Sequence, residues 1–209
     1  MTADVTILGA GVAGLTLATE LGARGAEVQL IDPVGRPGEH ACSWWAGGML
    51  APDCEGALTE PQVVHHGRAA AAWWEGKGAE VVRQGTLVIA LGRDRSELAT
   101  FKRRVPAAQA VDAAAIAALE PDLGERFRHG LFLPDEAHLD PRAALQHLHD
   151  RLSARQVVPQ PAADLEGTVI DCRGLSAQVE LGDLRGVKGE MVVVRSPDIS
   201  LSRPVRLLH

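Results

Sequence analysis

The sequence predicts an α/β protein whose first part is a Rossmann-like, dinucleotide-binding unit. A short apolar run at residues 5–8 leads directly into a glycine-rich turn, and apolar or small side chains then recur at helical spacing over residues 15–22. Residues 27–31 then predict a second strand, which ends at Asp32. Strand, glycine turn, helix, strand and acid thus follow one another in the order that a βαβ nucleotide-binding unit requires.

The glycines and the acid of this opening unit each have a physical role. Gly9 permits a tight turn, and Gly11 lets the backbone approach a pyrophosphate. Gly14 lets the helix pack closely on the strand, and the helix N-terminus offers unpaired N–H groups to phosphates. Asp32 stands where a carboxylate accepts both hydroxyls of an adenosine ribose. The alternative is a glycine-rich turn in another kind of α/β domain, which leaves Asp32 unexplained.

Composition narrows the possible functions. The 209 residues are 46% hydrophobic and carry a net charge of −6, which argues against nucleic-acid binding as the main role. The chain has three cysteines, Cys42, Cys54 and Cys172, and no two of them have the two-residue spacing of a zinc site. We therefore expect no disulfide framework, zinc site or other metal site. The first predicted strand begins at residue 5, which leaves no room for a signal peptide before it. The chain also has no run of about eighteen apolar residues, the length that a membrane-spanning helix needs. We therefore expect a cytoplasmic protein that does not contact the membrane.

A second small-residue segment carries a specific resemblance. Residues 45–52 read Trp-Ala-Gly-Gly-Met-Leu-Ala-Pro. Together with the opening unit, this segment resembles the FAD-dependent D-amino-acid oxidase superfamily and, within it, the thiamine-pathway glycine oxidases. The resemblance implies an FAD-binding domain of the glutathione-reductase type at residues 1–80 and 140–186. It also implies part of an antiparallel-sheet substrate domain at residues 81–139 and 187–209, incomplete at its C-terminus.

The resemblance also implies which residues contact the cofactor, FAD, held without a covalent bond. They are Gly9, Gly11, Val12, Ala13, Gly14, Asp32, Cys42, Ser43, Ala46, Gly47, Gly48, Met49, Val157, Val158, Cys172 and Gly174. The entrance of the substrate pocket is implied at Ala51, Cys54 and Glu55. We interpret Trp44 and Trp45 as core or lid aromatics in preference to residues that stack on the flavin.

Further elements follow in the middle of the chain. We predict a helix over residues 61–76, strands at 81–83 and 86–91, and helices at 96–104 and 112–119, the last capped by Asp112. The strand at 86–91 is continuously apolar, which favours a sheet covered on both faces. His65 and His66 are adjacent on a helix and point about 100° apart, so joint metal ligation is not expected.

A polar tract at residues 130–141 loosely matches a second family motif. Asp135, His138 and Asp140 invite a catalytic interpretation, but turn chemistry and helix capping explain both acids. Asp140 with Pro141 behind it predicts an N-cap and a helix over residues 142–154.

The last third should complete the cofactor sheet and begin a second one. We predict a third parallel strand at 156–158, with Val157 or Val158 contacting adenine, and a strand and glycine turn at 168–174. Residues 186–195 are predicted to enter the substrate-domain sheet, and 204–208 to form a strand. We expect these two strands to lack sheet neighbours in this chain.

The resemblance implies oxidation of a small amino acid, glycine or a related amine, to its imine. Oxygen is reduced to hydrogen peroxide, and the imine product serves thiamine thiazole formation, with hand-over to thiazole synthase. The alternative activities are those of another D-amino-acid or N-methylamino-acid oxidase, or of a dehydrogenase of the same superfamily. A homo-oligomer is also compatible with the sequence. The family's substrate-carboxylate arginine is expected beyond His209, so the catalytic residues stay unknown. The 209-residue chain alone is therefore also expected to be an inactive fragment.

Overall fold

The computed structural model describes residues 2–155 and 157–209. It divides into two compact units, Met1–Gly47 with Asp140–Val192 and Gly48–Leu139 with Val193–His209. The chain first passes from one unit to the other between Gly47 and Gly48 and returns to the first unit at Asp140. Which residues form a cofactor domain and which a substrate domain stays a prediction.

The described residues form a mixture of helices and strands. The strands are β1 (Val5–Leu8), β2 (Val28–Ile31), β3 (Met49–Leu50), β4 (Thr86–Ala90), β5 (Gln109–Asp112), β6 (His129–Leu133), β7 (Ala137–His138), β8 (Thr168–Asp171) and β9 (Val205–Leu208). The α-helices are α1 (Val12–Ala23), α2 (Pro52–Glu55), α3 (Pro61–Gly67), α4 (Ala70–Gly76), α5 (Arg95–Arg104), α6 (Ala113–Leu119) and α7 (Pro141–Ser153). A 3₁₀ turn spans Cys42–Trp45.

The first unit is built on a parallel sheet with the strand order β2-β1-β8. Val5 of β1 lies opposite Val28 of β2 and Thr168 of β8, so the predicted strands around the glycine turn are present and in register. Helix α1 contacts α7, and both helices bury apolar side chains, Leu15 in α1 and Leu148 in α7. Asp140 caps α7, as predicted, through a carboxylate oxygen that accepts the N–H groups of residues 142 and 143.

The predicted third strand at 156–158 is wrong. Gln156 lies outside the described residues, and Val157 and Val158 belong to no strand. The N–H of Val157 is used at the end of α7, where it donates to the carbonyl of Leu152. A single parallel bridge joins Ile31 to Gln160 instead. Gln160 stands between two prolines, which have no N–H to donate, so a ladder cannot extend on either side.

The second unit contains a four-stranded sheet with the order β5-β6-β4-β9. Strand β4 is antiparallel to β6 and parallel to β9, and all five of its residues are buried. Its side chains alternate between two apolar clusters: Val88 packs with Leu98 and Phe101, whereas Leu87 packs with Ile116. The prediction of a strand covered on both faces is confirmed.

Several local predictions for the second unit need correction. The helix expected over residues 61–76 is interrupted and forms α3 and α4. The strand expected at 81–83 is reduced to one bridge between Val82 and His138. Residues 204–208 do have a sheet neighbour, because β9 pairs with β4.

The predicted strand at 186–195 does not form in the structure. Its apolar side chains face outward, with Val192 and Val194 exposed to 78% and 74%. This segment has high strand propensity, but strand propensity mostly reflects packing against neighbouring strands. No partner strand for it lies within residues 2–155 and 157–209.

Candidate functional site

The glycine turn after β1 is tightly enclosed by backbone. Gly9 has a φ of +97°, and a Cβ there would lie 2.8 Å from the carbonyl oxygen of Cys172, which follows β8. A Cβ on Gly14 would lie 1.8 Å from the carbonyl oxygen of Gly9. Real Cβ atoms do not approach backbone that closely, so both positions require glycine. The turn brings the first glycine, the start of α1 and the end of β8 together.

The N-terminus of α1 has exposed backbone donors. Gly11 is the N-cap residue and supplies no side-chain cap. The hydroxyl oxygen of Ser43 accepts a hydrogen bond from the N–H of Val12 at 3.2 Å, and this contact is exposed. A Cβ on Gly11 would lie 3.3 Å from the same hydroxyl oxygen, so a side chain there would fill the space in front of the helix. This arrangement suits a phosphate group, which takes N–H donors and the positive end of the helix dipole.

Asp32 ties the end of β2 to two backbone segments. Its Oδ2 accepts from the N–H of Ala10 at 2.9 Å, and its Oδ1 accepts from Val34 and Gly35 at 3.0 and 3.2 Å. The residue is only 6% exposed. A carboxylate has about four acceptor positions, so roughly one is left for a ribose hydroxyl. The predicted contact to both ribose hydroxyls would therefore require part of this backbone network to open.

The turn at Cys42–Trp45 is held by an arginine that sequence analysis missed. The guanidinium carbon of Arg142 lies 5.5 Å from the ring centroid of Trp44 and 5.0 Å from that of Trp45. Its Nε donates to the carbonyl of Trp44 at 3.3 Å. Trp45 is 38% exposed, which excludes the core role for it and leaves the lid role as a prediction. The sequence did contain a signal for this arginine: the capping pair Asp140 and Pro141 predicts that Arg142 lies in the first turn of α7.

The other predicted cofactor residues are distributed over both units. In the first unit, Ala13 lies in the first turn of α1, and Gly174 has a φ of +58°. The remaining residues of that unit differ in exposure: Val157 is half-buried, Val158 is 51% exposed, and Cys42, Ala46 and Gly47 are exposed. Gly48 and Met49 belong to the second unit, where Met49 pairs with His138 across β3 and β7. Their contact with a cofactor stays a prediction.

The short helix α2 in the second unit is held at both ends by side chains distant in sequence. Glu136, only 2% exposed, accepts from the N–H of Cys54 through Oε1 at 2.6 Å. Nη1 of Arg206 lies 3.3 Å from the carbonyl oxygen of Cys54 and 3.3 Å from Oε1 of Glu55. A carboxyl oxygen thus meets an N–H group of α2 and a guanidinium group meets a carbonyl group, as backbone dipoles favour. Of the three predicted entrance residues, Ala51 and Cys54 are buried and Glu55 is exposed.

Burial changes the acid–base behaviour of this region. It raises the pKa of the Cys54 thiol to about 11, so the thiol stays protonated and unreactive at neutral pH. Burial also raises the pKa of the Glu136 carboxyl, although the Thr86 hydroxyl and the N–H of Cys54 lower it. His138 has its pKa lowered by burial. These groups are placed to support α2 and its neighbours rather than to transfer protons to an exposed ligand.

Comparison with known proteins identifies the family. The family model described as FAD dependent oxidoreductase (DAO) matches residues 4–208. The chain belongs to this family. The α/β fold class and the resemblance inferred from the sequence are thereby confirmed.

Individual relatives agree with this assignment. A Rhizobium etli protein named as a thiamine biosynthesis oxidoreductase, ThiO, is 49% identical over 98% of this chain and 64% of its own length. A Nostoc protein named bifunctional protein ThiO/ThiG is 51% identical over 26% of this chain and 8% of its own length. The glycine oxidase from Geobacillus kaustophilus superposes with a TM-score of 0.69 at 20% identity, over 86% of this chain and 58% of that one. The chain therefore spans less than two thirds of the length of the Rhizobium and Geobacillus proteins.

The residues of the first unit fit the family's cofactor, FAD. A Cβ on Gly11 would fill the space in front of the helix, and the N-cap residue itself supplies no side-chain cap. The donors available are backbone N–H groups and the Ser43 hydroxyl, which suit a pyrophosphate. Asp32 retains acceptor capacity for a ribose hydroxyl.

Three arginines of this FAD dependent oxidoreductase would be the first candidates for a substrate carboxylate. Arg203 is bound to the buried Glu120, with Nε 2.8 Å from Oε1. Arg173 is paired with Asp171 and Glu180, and Arg206 is engaged with α2. All three guanidinium groups already have anionic partners. Each would have to give up an ion pair to bind a substrate carboxylate.

The polar side chains that the structure describes form no metal-binding cluster. Within that part of the chain, no group of three or more His, Cys, Asp or Glu side chains could hold a metal ion. Asp140 acts as a helix cap, and Asp135 and His138 lie at the turn before β7 and in β7. No described helix combines the length and apolarity needed to cross a bilayer.

Proposed function

We propose that the full-length protein is an FAD-dependent amine oxidase that converts glycine or a closely related small amino acid to its imine. The observation that carries this proposal is the 49% identity with the Rhizobium etli ThiO across nearly the whole chain. The similarity to a glycine oxidase, at 20% identity, is a similarity of fold and does not specify a substrate.

When bound, FAD supplies the hydride acceptor and passes the electrons on to oxygen. The protein's own contribution in the first unit is to bind and orient. The N-terminus of α1 and the Ser43 hydroxyl would hold the pyrophosphate, and Asp32 would hold the ribose. These residues would hold the adenosine and pyrophosphate part of FAD without forming a covalent bond.

The second unit would contribute the entrance of the substrate pocket, which we predicted at and beside α2. Glu55 is exposed there, and Arg206 restrains it through an ion pair with an Nη1–Oε1 distance of 3.3 Å. The proposal assigns no proton transfer to Cys54 or His138, because burial disfavours the ionised form of each. Hydride transfer from an amine requires alignment and exclusion of water more than an acid or base.

The proposal extends to a partner. In the Nostoc relative, named bifunctional protein ThiO/ThiG, two functions share one chain. We infer that the imine formed by the present protein is used in thiamine thiazole formation and that a thiazole synthase receives it. An imine hydrolyses in water, so a short transfer distance would raise the yield.

The test uses purified full-length protein. We expect a yellow protein whose flavin is released by acid, and peroxide formation with glycine or sarcosine that exceeds the rate with D-alanine. Flavin that stays with the precipitated protein would contradict non-covalent binding. Reduction of the flavin by glycine without peroxide formation would indicate a dehydrogenase, and no reduction by any of the three amines would overturn the proposal.

A further inference from the structure

The Trp44–Trp45 pair and the capped start of α7 belong to one connected arrangement in the first unit. Asp140 accepts from the backbone N–H of Arg142 at 2.8 Å and from that of Ala143 at 3.2 Å. These contacts fix the first turn of α7, because N-cap side chains satisfy N–H groups that have no helical partner. The direction in which the Arg142 side chain leaves the helix is therefore set.

Arg142 then reaches the 3₁₀ turn in three ways. Its guanidinium lies over the rings of both Trp44 and Trp45, at 5.5 and 5.0 Å from their centroids. Its Nε donates to the carbonyl of Trp44 at 3.3 Å. A planar guanidinium can stack on aromatic rings and donate in its plane at the same time, which an ammonium cannot do. The indole N–H of Trp45 donates to the carbonyl of Glu39 at 2.9 Å, which fastens the turn on its other side.

Ser43 lies inside this restrained turn, directly before Trp44. Its hydroxyl oxygen is 3.2 Å from the N–H of Val12, at the exposed start of α1. A serine side chain on a mobile loop would lose conformational entropy when it contacts a ligand, whereas one on a restrained turn has already lost it. The contacts of Arg142 thus determine where the Ser43 hydroxyl stands relative to the helix N-terminus.

We infer that Arg142 is a positioning residue for the cofactor: held by Trp44 and Trp45, it fixes the Ser43 hydroxyl beside the N-terminus of α1 and so strengthens FAD binding. This inference rests on the proposed function, since it takes FAD as the ligand of the first unit. It assigns a role to both tryptophans and to Asp140 that is neither core packing nor catalysis.

The experiment is a double-mutant cycle on FAD affinity. Full-length apoprotein is titrated with FAD for the wild type, Arg142→Gln, Ser43→Ala and the double variant. We expect each single change to weaken binding about tenfold, the effect of one lost hydrogen bond. The double variant should be about as weak as either single variant, because two residues that act through the same contact do not add. Arg142→Lys should resemble Arg142→Gln, and Arg151→Gln, an exposed arginine on the same helix, should bind FAD like the wild type.

A second readout separates positioning from general stability. Acrylamide quenching of tryptophan fluorescence should rise in Arg142→Gln, while the melting temperature of the apoprotein should change little. If Arg142→Gln does not fold, the same measurements on Arg142→Lys decide the question. Unchanged FAD affinity in the folded variant, or losses that multiply to about a hundredfold in the double variant, would overturn the inference. A wild-type protein that binds no FAD would instead overturn the proposed function, and the quenching experiment would still report whether Arg142 holds the turn.

Discussion

The start of α1 and the region around α2 show two different ways of holding a helix end. At α1 the N-cap is a glycine without a side chain, and the nearest partner of the first N–H group is the exposed Ser43 hydroxyl. At α2 a buried carboxylate from Glu136 occupies the N–H of Cys54, and Arg206 occupies its carbonyl. The first end is therefore able to bind an anion from outside the chain, whereas the second is already satisfied from within it.

This difference explains why α1 carries the proposed ligand site. An exposed helix N-terminus loses little free energy when a phosphate joins or replaces its solvent-facing partners. A buried one must be satisfied during folding, because an unpaired N–H away from water is costly. Variants that change only the exposed start of α1 should therefore affect ligand affinity, variants of the contacts that hold α2 should affect stability, and variants of the buried glycine turn and of Asp32 should affect both.

The largest effect should come from Gly14→Ala. The added Cβ would meet the carbonyl oxygen of Gly9 at 1.8 Å, so α1 would have to move away from the glycine turn. We expect a loss of about 3 kcal/mol or more in unfolding free energy, together with loss of FAD binding, measured by denaturant titration and by FAD titration. Gly22→Ala in the same helix is the matched control, since a Cβ there meets nothing within 4 Å. Equal stability of the two variants would contradict the close packing of α1 against the glycine turn.

Asp32→Ala should have the next largest effect and should reduce both properties. We expect FAD affinity to fall by about 1.5–3 kcal/mol, the range for a hydrogen bond to a charged group. The stability of the apoprotein should also fall, because the N–H groups of Ala10, Val34 and Gly35 lose their acceptor. Asp32→Asn keeps one acceptor oxygen, so its FAD affinity and its apoprotein stability should both lie between those of the wild type and of Asp32→Ala. FAD affinity within about twofold of the wild type would show that Asp32 serves the backbone alone.

Glu136→Gln should have the smallest effect and should change the pH dependence of stability. Burial raises the pKa of this carboxyl above its ordinary value of 4.5 in the folded state. Below that value both folded and unfolded states hold the proton; at higher pH the unfolded state releases it first, so stability falls as pH rises. We expect melting temperatures of the wild type to fall more than those of Glu136→Gln between pH 4.5 and neutral pH. Parallel curves for the two proteins would show that the folded-state pKa of Glu136 is not raised.

The sequence predicted the elements whose pattern is local. The unit β1-α1-β2, the caps Asp112 and Asp140 and the buried strand β4 all depend on residues a few positions apart. The sites that the sequence did not reveal join distant residues. Arg142 reaches the carbonyl of Trp44, 98 positions away, and Glu136 reaches the N–H of Cys54, 82 positions away. Neither pair leaves a periodic signal, so only the fold brings it together.

Two wrong strand predictions have the same physical origin. Residues 157–158 and 186–195 are rich in valine, which packs well in sheets, but propensity alone does not supply a partner strand. At the first site the N–H of Val157 is used by the end of α7, and Pro159 and Pro161 leave Gln160 to pair alone. At the second, the described part of the chain offers no neighbouring strand.

The central claim is that the exposed N-terminus of α1 is where FAD is bound. Its most direct test compares FAD binding by wild type, Gly11→Val and Gly22→Ala in the full-length protein, measured by equilibrium dialysis alongside apoprotein melting curves. Gly11 has a φ of −74°, which valine adopts readily, and the closest atom to a Cβ there is the Ser43 hydroxyl oxygen at 3.3 Å, a contact that a small shift relieves without unfolding the turn. The account predicts that Gly11→Val keeps the melting temperature of the apoprotein but binds FAD more weakly than Asp32→Ala does, whereas Gly22→Ala binds like the wild type. Wild-type FAD affinity in a folded Gly11→Val protein would contradict it.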